Sequence, residues 1–338
     1  MSATMQALCT PEHIYTEKNK LRRVGIELEM AGLQSQQLVS IIQSVFGGTL
    51  KQRSPLDMDV TETSVGKFKV ELDASYMKAL AEQHLTEDAP GSLQRSAIEI
   101  ITKASELVVP WEVVSPPINI TELEKVNELI EAMRDAGALG TRHALHFAFG
   151  LHINPELPDL KASTIVAYMK AYMCLYDWIV SKEKIDFTRI VSSYIKHFGK
   201  DYIRKVIDLD YKPSLEQLID DYLSYNPSRN RSLDMLPLFH HLDSERVDRV
   251  ISDQRIQSRP TLHYRLPNCD IDNTHWNLSL PWNLWITVEK LVYAPDKLHF
   301  LCERYSEELT RPVHAFENRW PEFLDSYLIE HNFYSSEV

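Results

Sequence analysis

The stretch Arg23-Val-Gly-Ile-Glu-Leu-Glu-Met30 decides which fold this sequence predicts. Apolar side chains alternate in it with Gly25, Glu27 and Glu29, and a period of two is typical of a half-buried β-strand. Both carboxylates therefore project from one face, roughly 7 Å apart at about 3.3 Å of rise per residue. Two fixed carboxylates repel each other unless a positive charge lies between them, and a divalent cation would supply that charge. The alternative is an ordinary amphipathic strand with a solvated acidic face.

The composition is typical of a soluble globular protein, with 44% hydrophobic and 25% charged residues. The 338 residues suffice for one large domain or two ordinary ones. We expect no membrane span and no signal peptide, because no long apolar run and no basic leader occur. The net charge of −12 argues against a general nucleic-acid binder. Four cysteines without a CxxC spacing favour a reducing, cytoplasmic location.

Strand and helix patterns alternate along the chain, which predicts an α+β protein with a largely antiparallel sheet. Ser35 is expected to cap a helix that ends at Gly47, and Thr121 to open a capping box. Extended segments are predicted at 67–73, 108–118, 145–154 and 260–267. Helices are predicted at 92–108, 159–225 and 276–332, and a charged, irregular connection at 228–258.

Each predicted strand has an apolar side and a side that bears acids, histidines or a cation. If these strands share one sheet, one face of it carries Glu27, Glu29, Asp73, Glu112, His152 and Arg265. Hard carboxylates with one or two imidazoles suit Mg²⁺ or Mn²⁺, and no soft-ligand zinc site with cysteines is supported.

Single residues in this set leave other interpretations open. His152 can be an ordinary hydrogen-bonded residue, Glu112 can pair with a buried arginine, and Asp73 can cap the helix that follows it. Lys67 and Lys69 can be solvated lysines. The tempting group His240-His241-Leu-Asp243 lies in a charged connection, which favours a surface position.

Five motifs follow one another in a recognisable order. They are Val-Gly-Ile-Glu-Leu-Glu-Met (24–30), Val-Glu-Leu-Asp-Ala-Ser (70–75), Trp-Glu-Val-Val-Ser-Pro-Pro (111–117), Gly-Leu-His-Ile-Asn (150–154) and Leu-His-Tyr-Arg-Leu-Pro (262–267). This order resembles the amidoligase family of carboxylate–amine ligases, which has glutamine synthetase and glutamate–cysteine ligase as distant relatives. The resemblance spans about residues 22 to 295.

The resemblance implies a glutamine-synthetase-like curved, largely antiparallel sheet, with helices on its outer face and ATP and Mg²⁺ (or Mn²⁺) on its concave face. It implies a single catalytic domain at 21–335 with a mainly helical insertion at 159–258, and the polar, aperiodic residues 1–20 predict a flexible N-terminal tail. The metal ligands expected are Glu27, Glu29, Glu112 and His152. The nucleotide contacts expected are Lys69, Arg229, Arg231, His263 and Arg265. The catalytic residues expected are Asp73, Glu112 and Arg265.

Three positions depart from the family pattern. Ala74 replaces a usual glycine, which matters only if the turn needs a positive φ. Asn154 stands where a second histidine is common. His263 replaces a carboxylate expected near a metal, and imidazole suits Mn²⁺ better than Mg²⁺.

The function that the sequence predicts is ATP-dependent amide-bond formation through an acyl phosphate, with Asp73 or Glu112 as a candidate base for the incoming ammonium. No Walker-type glycine loop occurs among the 10 glycines, so metal and side chains would hold the nucleotide. The partners expected are ATP, a carboxylate and an amine, each small or peptidic. Two alternatives stay open: a catalytically degenerate nucleotide- or peptide-binding protein, and a metal-dependent hydrolase.

Overall fold

The structure is a computed structural model that describes residues 7–54, 56–72, 111–143, 149–186, 189–190, 195–253, 255–311 and 319–335. In these ranges it is a mixed α+β protein with a large antiparallel sheet and about ten helices. The chain divides into two compact units. Unit 1 comprises Met1–Arg22, Asn154–Leu266 and Ser279–Val338, and unit 2 comprises Arg23–Ile153 and Pro267–Leu278. Three predictions fall partly or wholly outside the described residues: the helix at 92–108, Asp73, and positions 145–148 of the strand predicted at 145–154.

Unit 2 is built on a sheet with the strand order β2-β3-β4-β5-β1-β7, and β6 pairs with the start of β1. Neighbours from β2 to β1 run antiparallel. The strands are β1 Arg23–Met30, β2 Thr49–Ser54, β3 Asp57–Thr63, β4 Gly66–Leu72, β5 Trp111–Val114, β6 Ile118–Asn119 and β7 Leu151–Pro155, whose last residues belong to unit 1. The hairpin of β2 and β3 was not predicted.

The core of unit 2 lies on the apolar side of these strands. The alternation predicted in β1 is confirmed, because Val24, Ile26, Leu28 and Met30 are all buried. The predicted apolar side of β4 is also confirmed: Phe68, Val70 and Leu72 are buried. Two helices contribute to this core, α1 Ser35–Phe46 and α2 Glu124–Asp135.

Helix α1 ends as predicted but begins differently. Gly47 follows its last residue with φ +70°, which a glycine adopts readily. At the start, the cap is Gln34, whose backbone N–H donates to Gln37 Oε1 at 2.8 Å. Ser35 is instead the first helical residue, and its hydroxyl donates to Gln36 Oε1 at 3.0 Å. The prediction of a Ser35 cap is therefore wrong.

Helix α2 has the predicted inward face but not the predicted capping box. Val126, Leu129, Ile130 and Met133 are buried. The residue that precedes the helix is Leu123, which makes no side-chain capping hydrogen bond. The capping box assigned to Thr121 is therefore wrong, and apolar packing with an acidic first turn fixes this helix start.

Unit 1 is mainly helical. Its helices are α3 Ala162–Glu183, α4 Lys200–Ile207, α5 Leu215–Tyr225, α6 Leu236–Leu242, α7 Ser244–Asp248, α8 Ser279–Val292, α9 Pro295–Leu309 and α10 Arg319–Glu330. Its short strands, β8 Leu233–Asp234 and β9 His263–Tyr264, pair antiparallel. The end of β7 lies beside the residues before β9, where Leu262 N–H donates to Pro155 O at 3.1 Å.

Helix α3 is central to unit 1 because it is buried on nearly every side, as expected of a helix with apolar residues all round. It contacts α4, α8, α9 and α10. The helical predictions for 159–225 and 276–332 hold in the described residues. Two predictions are corrected: 228–258 is not irregular, since it contains β8, α6 and α7, and the strand predicted at 260–267 is only two residues long.

The described part of the N-terminal segment makes specific contacts within unit 1. Trp282 Nε1–H donates to Cys9 O at 2.8 Å, and Asn283 Nδ2 donates to Ala7 O at 2.9 Å. The division into a tail, one catalytic domain and a helical insertion remains a prediction. None of the helices in the described ranges combines the length and apolarity that a membrane crossing needs.

Candidate active site

Three carboxylates and one imidazole come together on the sheet of unit 2. We call Glu27, Glu29, Glu112 and His152 the carboxylate–histidine cluster. His152 Nδ1 lies 2.7 Å from Glu27 Oε2 and 4.0 Å from Glu112 Oε1. His152 Nε2 lies 3.4 Å from Glu29 Oε1. All of the predicted metal ligands are thus adjacent.

Strand register explains why these four side chains meet. Glu29 of β1 is directly opposite Glu112 of β5, and cross-strand partners project from the same face. Ser115 holds this register, because its backbone N–H donates to Ile26 O and its Oγ accepts from Ile26 N–H, each at 2.8 Å. Ser115, the serine of the Glu-Val-Val-Ser-Pro-Pro motif, therefore fixes the pairing of β5 with β1 close to Glu112.

The cluster is shielded from water. Its side chains are only 6–16% exposed, with His152 the least and Glu112 the most exposed. Glu29 is also fixed by Gly150, whose backbone N–H donates to Glu29 Oε2 at 2.7 Å. Carboxylates held this close in a low-dielectric setting repel one another strongly. That repulsion needs a nearby positive charge, which a basic side chain, a proton or a metal cation can supply.

The hydrogen bonding of His152 points to the same requirement. If Nδ1–H donates to Glu27, then Nε2 carries a lone pair that faces the Glu29 carboxylate 3.4 Å away. Two acceptors at that distance need a proton or a cation between them. Glu29, Glu112 and His152 offer donor atoms that all lie within 4.8 Å of one another. Two carboxylates with one imidazole suit Mg²⁺ or Mn²⁺, so this donor set fits a divalent cation.

The register extends the acidic side chains into a row across four strands. Glu112 is opposite Glu71 of β4, and Glu71 is opposite Asp57 of β3. Asp57, Glu71, Glu112 and Glu29 therefore share one face in strand order. Lys69 is next to this row and its Nζ contacts Glu71 Oε2, so it offsets part of the charge.

Sequence reasoning did not assign Asp57 or Glu71 to the site. Glu71 was visible on the polar side of its predicted strand. Asp57 could not be assigned to the acidic row from the sequence, because the β2–β3 hairpin that positions it was not predicted. The signal that could have found Asp57 is the short alternation of Met58 and Val60, which are both buried.

Unit 1 contains a second predicted set, which we call the basic group: Arg229, Arg231, His263 and Arg265. Arg265 Nη1 donates to Arg229 O at 2.8 Å. Two members of the group lie near the buried carboxylate of Asp234: His263 Nδ1 is 3.4 Å and Arg229 Nε 4.0 Å from its Oδ2. The pKa of the Arg229 guanidinium is lowered overall. Burial is the largest cause and the charge of Arg265 adds to it, whereas Asp234 acts in the opposite direction.

Arg189 also contributes to this arrangement, although the sequence did not predict it as a site residue. It is 2% exposed, and its Nη2 donates to Arg265 O at 2.7 Å. It therefore holds the backbone that carries Arg265. Arg231 is oriented separately, since its Nε donates to Asn226 Oδ1 at 2.7 Å. A single arginine gives no sequence signal that it is buried, because arginine side chains are mostly exposed.

The predicted residues thus fall into three places. Glu27, Glu29, Glu112 and His152 are together in unit 2, and Lys69 is two strands away from β1 on the same sheet. Arg229, Arg231, His263 and Arg265 are together in unit 1. Asp73 lies outside the described residues. The binding and catalytic roles of these residues remain predictions.

The α+β fold thus presents, on its antiparallel sheet, a shielded carboxylate–histidine cluster that could hold a metal ion. A family model described as "Putative amidoligase enzyme" matches residues 20–287. The match covers most of the chain, so the protein belongs to the amidoligase family, as the five motifs predicted. The family name indicates a ligase-type function. No match was found among curated proteins or among solved structures.

Proposed function

We propose that the protein is an ATP- and Mg²⁺-dependent carboxylate–amine ligase that forms a peptide-like or γ-glutamyl-like amide through an acyl phosphate. The observation that carries this proposal is the convergence of three carboxylates within 4.0 Å of one buried imidazole, in a chain of the amidoligase family. The proposal includes a glutamine-synthetase-like fold, which the antiparallel sheet and its packed helices support.

The proposed reaction has two steps. A carboxylate oxygen of the acid substrate attacks the γ-phosphorus of ATP, and the bond from that phosphorus to the bridging oxygen breaks to release ADP. The amine then attacks the acyl carbon, the bond to the phosphate oxygen breaks, and inorganic phosphate and one proton leave. Positioning and electrostatic stabilisation dominate the catalysis of phosphoryl transfer.

The carboxylate–histidine cluster would hold the divalent cation, which when bound offsets charge on the phosphate oxygens. Glu27 orients the His152 ring, and the Gly150 N–H orients Glu29, so both side chains keep their positions without rearrangement. Glu112 would share the task of cation binding or would take the proton of the incoming ammonium. Asp73 is the alternative base.

The basic group would bind phosphate. Arg265 and Arg229 would offset the negative charge of the transferring phosphoryl group, because guanidinium groups match phosphate oxygens in geometry and charge. Arg231, His263 and Lys69 would add contacts to the nucleotide. Asp234 and Arg189 would keep the two arginines in place through the contacts described above.

Removal of the acidic pair of β1 tests the proposal. We expect Glu27→Gln with Glu29→Gln to weaken Mn²⁺ binding by more than about 100-fold, beyond the loss that follows removal of an outer partner of a ligand. Titration calorimetry with Mn²⁺ measures the affinity, and ADP release with pooled carboxylates and amines measures turnover. The matched control is Glu128→Gln with Glu131→Gln, two exposed acids of α2 in the same unit.

Three outcomes would contradict parts of the proposal. Unchanged Mn²⁺ affinity would remove the cation assignment. ATP binding without ADP release under any substrate pool would favour a degenerate binding protein. Product release from an amide substrate without ATP would favour a hydrolase.

A further inference from the structure

Two cysteines that lie far apart in sequence are neighbours in unit 1. Cys174 of α3 and Cys302 of α9 are 0% and 1% exposed, and their Sγ atoms are 3.9 Å apart. This distance corresponds to an S–H···S contact between two free thiols. Of the other cysteines, Cys9 is exposed and Cys269 belongs to unit 2.

The backbone around this pair is held in place by α10. Trp320 Nε1–H donates to Cys174 O at 2.9 Å, and the Trp320 ring stacks on Tyr305 with 5.1 Å between centroids. Tyr305 is one turn beyond Cys302 on α9. A disulfide needs an S–S distance of about 2.05 Å, so the two sulfurs must approach each other by roughly 2 Å.

A lysine lies beside the two thiols. Lys170 is one turn before Cys174 on α3, is 7% exposed, and donates from Nζ to Asp208 O at 2.7 Å. The hydrogen bond from Cys174, together with the charge of Lys170, lowers the pKa of the Cys302 thiol. Burial raises the pKa of Cys174. Cys302 is assigned as the thiol that reacts first, and Cys174, whose sulfur lies 3.9 Å away, as the thiol placed to react with it afterwards.

We propose that Cys174 and Cys302 form a reversible intramolecular disulfide when the protein meets a peroxide. The Cys302 thiolate attacks a peroxide oxygen, the O–O bond breaks, and Cys302 becomes a sulfenic acid as hydroxide leaves. Cys174 sulfur then attacks Cys302 sulfur, the S–O bond breaks, and hydroxide leaves. The Cys302 thiol proton already released and the Cys174 proton convert the two hydroxides to water. Two thiols are oxidised, the peroxide is reduced, and a dithiol reductant reverses the change.

The disulfide would cross-link α3 to α9, which already pack together in unit 1. The cross-link would restrict the unfolded chain over a long loop, so the oxidised protein should melt at a higher temperature than the reduced protein. A pair of this kind in a protein predicted for a reducing compartment fits a transient, redox-sensing bond better than a permanent one.

The test uses the full-length protein treated with hydrogen peroxide, then quenched with N-ethylmaleimide in denaturant and digested with trypsin without reduction. We expect a linked pair of peptides, residues 171–182 and 298–304, that has lost two hydrogen atoms and that separates on reduction. Cys9→Ser with Cys269→Ser is the control that should retain the link. Cys302→Ser and Cys302→Ala should both abolish it.

Lys170 provides a second measurement that does not depend on removal of either cysteine. We expect Lys170→Met to slow formation of the link several-fold and Lys170→Arg to restore the rate, since the charge returns. Recovery of Cys174 and Cys302 as separate alkylated thiols, at peroxide levels that oxidise Cys9, would overturn the proposal. Links that join only other cysteines, or conversion of Cys302 to a sulfinic acid without a link, would overturn it as well.

Discussion

Glu112 illustrates how one side chain acquires its chemistry from its neighbours. On β5 it alternates with buried Trp111 and Val113, and this local pattern only requires that it face away from the core. Its carboxylate is opposite that of Glu29, so the two negative charges repel each other. Its Oε1 is also 4.0 Å from His152 Nδ1, which places Glu112 in the carboxylate–histidine cluster. Removal of a charge from this cluster should therefore stabilise the protein without cations and remove its response to cations.

The first prediction follows for Glu112→Gln. Without divalent cations we expect a free energy of unfolding about 0.5–1 kcal/mol higher than wild type, because like charges directly opposite each other are destabilising. With saturating Mn²⁺ we expect wild type to gain about 2–3 kcal/mol and the variant to gain much less. Urea unfolding with and without Mn²⁺ measures both effects, with Glu131→Gln as the control. Equal gains in both proteins would count against a cation at Glu112.

A second residue-scale prediction concerns Asp177 of α3. Burial raises the pKa of its carboxyl from 3.8 to about 6. The native state therefore favours the protonated form, so this group contributes stability below about pH 4 that is lost as the pH rises through 6. We expect Asp177→Asn to change little at pH 4 and to stabilise the protein by about 2 kcal/mol at pH 7.5.

Urea unfolding of wild type and Asp177→Asn from pH 4 to pH 8 tests this prediction. Asp210→Asn, an exposed carboxyl in the same unit, controls for the removal of one negative charge. A difference between wild type and Asp177→Asn that does not grow with pH would contradict the stated cause.

At the scale of elements, apolar periodicity predicted the strands and helices that have one buried face. β1, β4 and α2 follow from it, because side-chain direction along an element is set by local backbone geometry. β2 did not, because five of the six residues of Thr49–Ser54 are exposed and Leu50 is its one apolar residue, so the strand has no apolar side to recognise. β7 is buried throughout, so no alternation marks its functional side. The chemical setting of His152 comes from Glu27 and Glu29 of the neighbouring strand β1.

The turn between α1 and β2 gives a prediction at this scale. Gly47 and Gly48 both have positive φ, +70° and +103°. A Cβ at Gly48 would lie 2.6 Å from Thr61 O and 2.8 Å from Thr63 Cγ2, whereas a Cβ at Gly47 meets nothing within 4 Å. We expect Gly47→Ala to destabilise by about 1 kcal/mol from backbone strain alone, and Gly48→Ala by at least about 1 kcal/mol more.

Thermal or urea unfolding of the two variants measures this difference directly. Both substitutions add one methyl group to adjacent turn residues, so each is the control for the other. Equal destabilisation would show that the β2–β3 hairpin moves aside without cost.

At the scale of the molecule, a buried ion pair joins distant parts of unit 1. Arg22 donates from Nη1 and Nη2 to Glu289 at 2.9 and 2.6 Å, and from Nε to Glu156 O at 2.7 Å. Trp285 Nε1–H donates to Glu289 Oε1 at 3.1 Å. The side chains of Arg22 and Glu289 are 0% and 2% exposed, so the loss of one charge leaves the other uncompensated.

We expect Glu289→Gln to destabilise the protein by about 3–5 kcal/mol for this reason. The double variant Arg22→Met with Glu289→Leu should lose much less unfolding free energy than the sum of the losses of Arg22→Met and Glu289→Leu alone. The reason is that the double variant buries no charge without its partner. A double-mutant cycle of unfolding free energies is the measurement. Additive single effects would show that the pair does not act as a unit.

Local pattern and tertiary contact thus explain different properties of this protein. The alternation in β1 was enough to place Glu27 and Glu29 on one face, because side-chain direction along a strand is set by neighbouring residues. The order of five short motifs along the chain was enough to identify the family. The proximity of Glu112 to Glu29, of His152 to both, and of Cys174 to Cys302 depends on strand register and helix packing. These arise from burial and hydrogen bonding between residues that are up to 128 positions apart, which no local period encodes.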